Sequence, residues 1–182
     1  MKPVSPSKVY RLLYPAVPAI ISCYDRGFVF AMPVVTLVSL SNDPPLVGFS
    51  SSPSHATHKA VAASRCFSVS WVDSSMAKAV ETLGTTPHKA SDKLQAAGLK
   101  HTRGKLLDVP IIEGAVAYLE CSLYGRQALG DHELLIGRVQ EASATEDFGD
   151  YWGFQSYKPI LYTGIREGSL QTYGPGGSPQ GT

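Results

Sequence analysis

The chain has 182 residues, 43% of them apolar and 17% charged, with 16 Lys and Arg against 15 Asp and Glu. That composition excludes a disordered chain, and the length suits one domain able to bury a core. A formal charge of +1 with scattered basic residues also excludes a nucleic-acid binder, which needs a basic face to neutralise phosphates.

Ser5-Pro6 followed by residues 8–13 predicts a short helix with proline in its first turn, stopped at Pro15. Residues 19–24 read as a strand, turned at Asp25-Arg26-Gly27, where glycine is free to take a positive φ. The β-branched run 28–38 is a buried strand. Pro33 inside it marks an edge, bulge or break, because proline cannot donate to a central ladder. Asn42-Asp43-Pro44-Pro45 forms a rigid turn into a strand over 46–50. Ser54 is then expected to cap a helix carrying His58, Ala60, Val61 and Ala63. Phe67, Val69 and Trp71 alternate on one face of a half-buried strand. Asp73 and Ser74 cap the next helix, with Met76, Ala77, Val80 and Leu83 at helical spacing and Gly84 closing it. A second short helix spans 90–97 and stops at Gly98. Strands at 115–123 and 134–139 form a long hairpin around Gly130-Asp131, and 160–162 is a last short strand.

Six or seven short strands with a few interposed helices favour a mainly β fold, an antiparallel barrel with helices at its rim. Hairpins this short leave no room for repeated parallel crossovers. The domain covers 1–170, and the Gly/Pro-rich tail 171–182 is expected to be flexible. Cys23, Cys66 and Cys121 lie in apolar runs without a CxxC pair and behave as small core hydrophobes. No secretory pattern opens the sequence, so a reduced, cytoplasmic protein is expected. The longest apolar run is about half of the ~20 residues a membrane helix needs, so no membrane contact is expected.

Several motifs fail. The glycines at 174 and 176 sit in the tail after no βαβ unit, so they make no dinucleotide fingerprint. The run Ser50-Ser51-Ser52 lacks the GxSxG frame of a serine hydrolase. His55 and His58 are within reach of one metal, but a zinc site needs three or four ligands. No metal site is expected.

Three segments carry a signal: 39–49, 50–59 and 130–139. The middle one runs small hydroxyl residues into a helix start, where unpaired N–H groups and the positive dipole end favour a phosphate. An ordinary capped helix after a serine-rich loop would look the same. In their order, however, the segments resemble the flavin reductase-like family, the FMN-binding split barrels that include flavoredoxins and ferric reductases. The matching pieces are S-x-S-x-D-P-P (Ser39 to Pro45), Thr57-His58, Phe67-Ser68-Val69, Asp92-Lys93-Leu94, and Gly-Asp-His-x-x-x-x-Gly-x-Val (Gly130 to Val139). The closing Lys158-Pro159-Ile160-Leu161-Tyr162 is similar to the family's final strand, so the resemblance covers roughly residues 8–165.

The resemblance implies a six-stranded antiparallel split β-barrel, homodimeric, with FMN near the dimer interface and FMN expected ahead of FAD. Carried over, Val34, Val35 and Thr36 match the segment whose backbone lines the isoalloxazine edge. Ser50, Ser51 and Ser52 match the loop beside the ribityl chain and ring, and Ser54, His55 and Thr57 the phosphate-binding helix start. Lys89 lies in a loop that approaches the phosphate in this family, and His132 matches the histidine near the flavin and nicotinamide. Asp92 and Lys93 read as a solvated helix face, and Trp71 and Tyr118 as core or interface residues. The function implied is NAD(P)H-dependent reduction of FMN by hydride transfer with onward electron transfer, to a redox partner protein among other acceptors. The alternative is an FMN-binding electron carrier or flavin store without its own NAD(P)H site.

Overall fold

The structure, a computed structural model, describes residues 1–86, 93–153, 157–166 and 169–170. A 3-10 helix (Pro6–Leu13) precedes the hairpin of β1 (Ala19–Asp25) and β2 (Phe28–Val34). Its turn residues Arg26 and Gly27 both have positive φ, 50° and 81°, the primed geometry that matches strand twist. A second hairpin joins β3 (Val38–Asn42) to β4 (Pro45–Ser51), and helix α1 (Ala56–Ser64) leads into β5 (Cys66–Trp71). Asp73 Oδ1 accepts from Ser75 N at 2.9 Å and caps a 3-10 turn (Ser74–Met76) that opens α2 (Ala77–Thr85). Then come α3 (Lys93–Ala96), the short strands β6 (His101–Arg103) and β7 (Pro110–Ile112), and the long hairpin β8 (Ala117–Leu129) and β9 (His132–Ala144). Two-residue strands β10 (Ile165–Arg166) and β11 (Ser169–Leu170) pair with each other.

Seven strands form one antiparallel sheet, in the order β2-β1-β5-β8-β9-β4-β3. The expected barrel has six. The seventh is β3, which pairs only with β4 and lies at the sheet's end. The expected single strand over 28–38 breaks after Val34, and β3 begins at Val38. Pro33 sits on β2, the strand at the other end, where a missing N–H costs no central ladder bond. The sheet curls until β2 meets β4. Thr36, just past β2, donates its hydroxyl to Ser50 O at 2.8 Å and accepts from Ser50 N at 3.1 Å. A row of paired residues runs from Pro33 through Ile20, Ser70 and Tyr118 to Ser143 on β9, whereas Ser50 lies opposite Leu134. That stagger along β9 is the shear by which a twisted sheet closes on itself.

The strands bury two faces. Inside the curl, Ile21, Val34, Phe49, Phe67, Val69, Cys121 and Leu135 pack with Ala60 and Val61 of α1. Outside it, α2, α3 and β7 cover Ile20 and Ala31 with Val80, Leu83, Leu94 and Ile112. Covered on both sides, β1 reads as a continuous apolar run rather than an alternating one. Gly137 lets β9 approach the Phe67 ring: a Cβ there would lie 2.9 Å from Cys121 Cβ and clash with Phe67. That explains the second glycine of the 130–139 segment.

Residues 160–162 form no strand; Tyr162 and Pro159 make single bridges to Ala16 and Asp73. The tail 171–182, Lys89 and the first part of the expected helix 90–97 lie outside the described residues. Among the described residues, no helix is long and apolar enough to cross a membrane.

Candidate functional site

At the end of β4 the chain turns tightly. His55 N donates to Ser52 O at 3.0 Å, Ser54 N donates to Ser52 Oγ at 3.3 Å, and the Ser52 and Ser54 hydroxyls lie 2.8 Å apart. Helix α1 starts one residue later than the sequence suggests. Its N-cap is His55, not Ser54, and no side chain caps it. Because Lys59 N donates to His55 O at 3.2 Å, the amides of Ala56, Thr57 and His58 have no intrahelical acceptor. They carry the positive end of the helix dipole.

Ala56 and Thr57 belong to the wall of a cleft of about 680 Å³, with His58 buried behind them. Ser54, His55, Ala56 and Thr57 form one side of it, with Lys59; Gly84, Thr85, Thr86 and Lys93 form the other; Met32, Pro33 and Leu83 supply apolar surface. Among the described residues no carboxylate lines it. Burial holds the Lys93 ammonium below the usual lysine range. The reading of Lys93 as a solvated face is therefore corrected, since α3 packs its neighbour Leu94 into the core and carries Lys93 to the cleft. A wall of free amides, hydroxyls and cations beside an apolar patch accepts a ligand with an anionic end and a flat apolar body.

A polar chain fixes α1 from behind. His58 is 2% exposed, and its Nε2–H donates to Glu133 Oε2 at 2.7 Å. Arg126 of β8 donates to the same oxygen from Nε at 3.0 Å and Nη2 at 2.8 Å. The Arg126 hydrogen bond, first, and the one from His58 hold Glu133 below the usual carboxylate range, whereas burial lowers His58. His58 Nδ1 is buried without a partner. On the same rung Ser51, paired with Glu133, brings its hydroxyl 3.3 Å from His55 Nδ1. Neither Arg126 nor Glu133 stands out in the sequence. Their contact needs the β8–β9 register and the α1 packing together.

Of the expected site residues, Ser54, His55 and Thr57 line the cleft. Ser50, Ser51 and Ser52 adjoin it at the end of β4, and Thr36 is occupied at the barrel seam by Ser50. Val34 points into the core and Val35 follows it half-buried; the cleft takes Met32 and Pro33 from that strand instead. His132 stands exposed at the hairpin tip, bonded to Asp131 Oδ1 at 2.8 Å, outside the cleft's lining. It is nonetheless the neighbour of Glu133 in the chain. Among the described residues no cluster of His, Cys, Asp and Glu could hold a metal.

Trp71 and Tyr118 lie elsewhere, in an apolar cleft of about 310 Å³ with Phe148 and Trp152. The three thiols are free; burial pushes Cys23 and Cys121 up to about 12, so neither is a nucleophile.

The family model for the flavin reductase like domain matches residues 10–166. An uncharacterised protein of Aeropyrum pernix is 28% identical over 90% of this chain, which spans 63% of that relative's length. A flavin reductase of Pseudomonas putida is 33% identical over 70% of this chain and 76% of its own. An FMN-binding protein from Thermus thermophilus, solved with bound 1-cyclohex-2-enone, superposes with a TM-score of 0.80 at 31% identity, covering 94% of each chain.

Proposed function

The chain belongs to the flavin reductase like family, and on that premise we propose that it is an oxidoreductase that binds FMN in the α1 cleft. Bound there, FMN supplies hydride acceptance from NADH or NADPH and onward delivery of electrons. The observation that carries the reading is a wall holding the free amides of Ala56 and Thr57 beside Lys59, opposite Lys93, with no carboxylate among the described lining residues. That donor set fits a phosphate, and Met32, Pro33 and Leu83 fit the body of a flavin. In this assignment Ser54, His55, Thr57 and Lys93 hold the phosphate, with Lys89 a further cation carried over from the family pattern. The backbone of Val34, Val35 and Thr36 meets the ring edge, and Ser50, Ser51 and Ser52 the ribityl chain. His132 positions the nicotinamide. FMN is assigned ahead of FAD.

The protein acts as a homodimer in the cytoplasm and passes electrons to a redox partner protein or a small acceptor. Anaerobic mixing of the FMN-loaded protein with NADH and with NADPH tests the activity, with bleaching of the flavin band as the expected result. The place of His132 outside the cleft lining favours keeping a second reading, an FMN-binding electron carrier or store fed by another protein. Bleaching by dithionite but by neither nicotinamide would establish that second reading and reject the first.

A further inference from the structure

We propose that Glu133 and Arg126 form a charge-compensated positioning pair for the phosphate end of the cleft, which makes the site select phosphate-bearing flavins. The inference rests on the assignment of FMN to the α1 cleft and deepens it. Helix α1 presents its free amides only if its first turn is held in place, yet no side chain caps that turn. It is held instead through His58, whose Nε2–H is fixed by Glu133 Oε2 at 2.7 Å from the first residues of β9.

A carboxylate is the natural acceptor for a buried imidazole N–H. Its cost is a negative charge one imidazole away from the amides that would bind a dianion, where it repels the ligand. Arg126 removes that cost. Both of its bonds, 3.0 and 2.8 Å, go to the same Oε2 that His58 uses, so the anchor is kept and its charge is cancelled. Burial holds His58 neutral-leaning, so the compensating charge has to come from Arg126. The arginine itself is outside the cleft's lining and 44% exposed. It acts on the ligand through Glu133, and its substitution leaves the core untouched.

The test is a titration of FMN and of riboflavin, which lacks the phosphate, against the wild type, Arg126→Gln and the double variant Arg126→Gln/Glu133→Gln. Glutamine at 133 keeps an acceptor for His58 and removes the charge. Dissociation constants come from flavin fluorescence, with thermal melting as the folding control. Arg126→Gln is expected to weaken FMN by about tenfold and riboflavin by less than about twofold. The double variant is expected to regain most of the FMN affinity. Equal weakening of both flavins by Arg126→Gln, unchanged FMN binding, or a double variant no better than the single one overturns the proposal. A wild type that binds neither flavin overturns the assignment of the cleft as well, and so separates the two failures.

Discussion

Glu120 is fully buried on β8, and its carboxylate accepts three backbone N–H groups, from Lys105 at 2.6 Å, Leu106 at 2.9 Å and Leu107 at 2.7 Å. Gly104 lies against it so closely that a Cβ would fall 2.7 Å from Oε2. One side chain thus anchors the loop before β7. Glu120→Gln turns an NH2 group toward a donor amide, and is expected to cost about 2–3 kcal/mol in urea denaturation; an unchanged midpoint would contradict this. His58 gives a pH dependence. Burial holds it below its ordinary 6.5, outweighing the opposing pull of Glu133. The unfolded chain therefore takes up this proton first as pH falls, so stability is lost from about pH 6.5 downward. Glu133, held below 4.5 mainly by Arg126, extends the loss at lower pH. Thermal melts at pH 7.5 and 5.5 should show a lower Tm in acid, and a smaller drop in His58→Gln. An equal drop in the variant would remove His58 from the account.

Among the elements, α1 and α3 meet across the cleft, and each contributes a group that can be removed singly. Thr57→Ala and Lys93→Gln are each expected to weaken FMN by about tenfold, the loss of one hydrogen bond to a charged group. If fluorescence titration finds either unaltered, that residue does not touch the phosphate. Most elements are legible in the chain because apolar residues recur at strand spacing, as in the long hairpin around Gly130-Asp131 and in Phe67, Val69 and Trp71 on β5. That strand, expected half-buried, is in fact buried on its other face too, through Ser68 and Ser70. What the sequence hides is short or non-local. Strands β6 and β7 have three residues each, too few for a period. Helix α3 is four residues long, so nothing in its pattern says that Lys93 faces inward. The start of α1 slips by one residue because serines at 52 and 54 bond each other and leave the cap to His55. The Arg126–Glu133–His58 chain joins two strands to a helix from distant segments, which only the closed barrel brings together.

At the scale of the molecule, the N-terminal 3-10 helix is out of balance with water. None of its residues is buried, and Leu12 and Leu13 are 65% and 77% exposed. Apolar surface of this kind suits a contact with another chain, which the proposed homodimer would supply. Light scattering should give twice the mass of one chain, and Leu12→Ser/Leu13→Ser should shift the equilibrium toward monomer. A monomeric wild type at micromolar concentration would reject the dimer. The central claim, that the cleft between α1 and α3 is a flavin phosphate site, is tested most directly by gel filtration of the protein mixed with excess FMN. The account predicts flavin absorbance co-eluting at one FMN per chain. Protein that elutes colourless, with all the flavin in the small-molecule fractions, would contradict it.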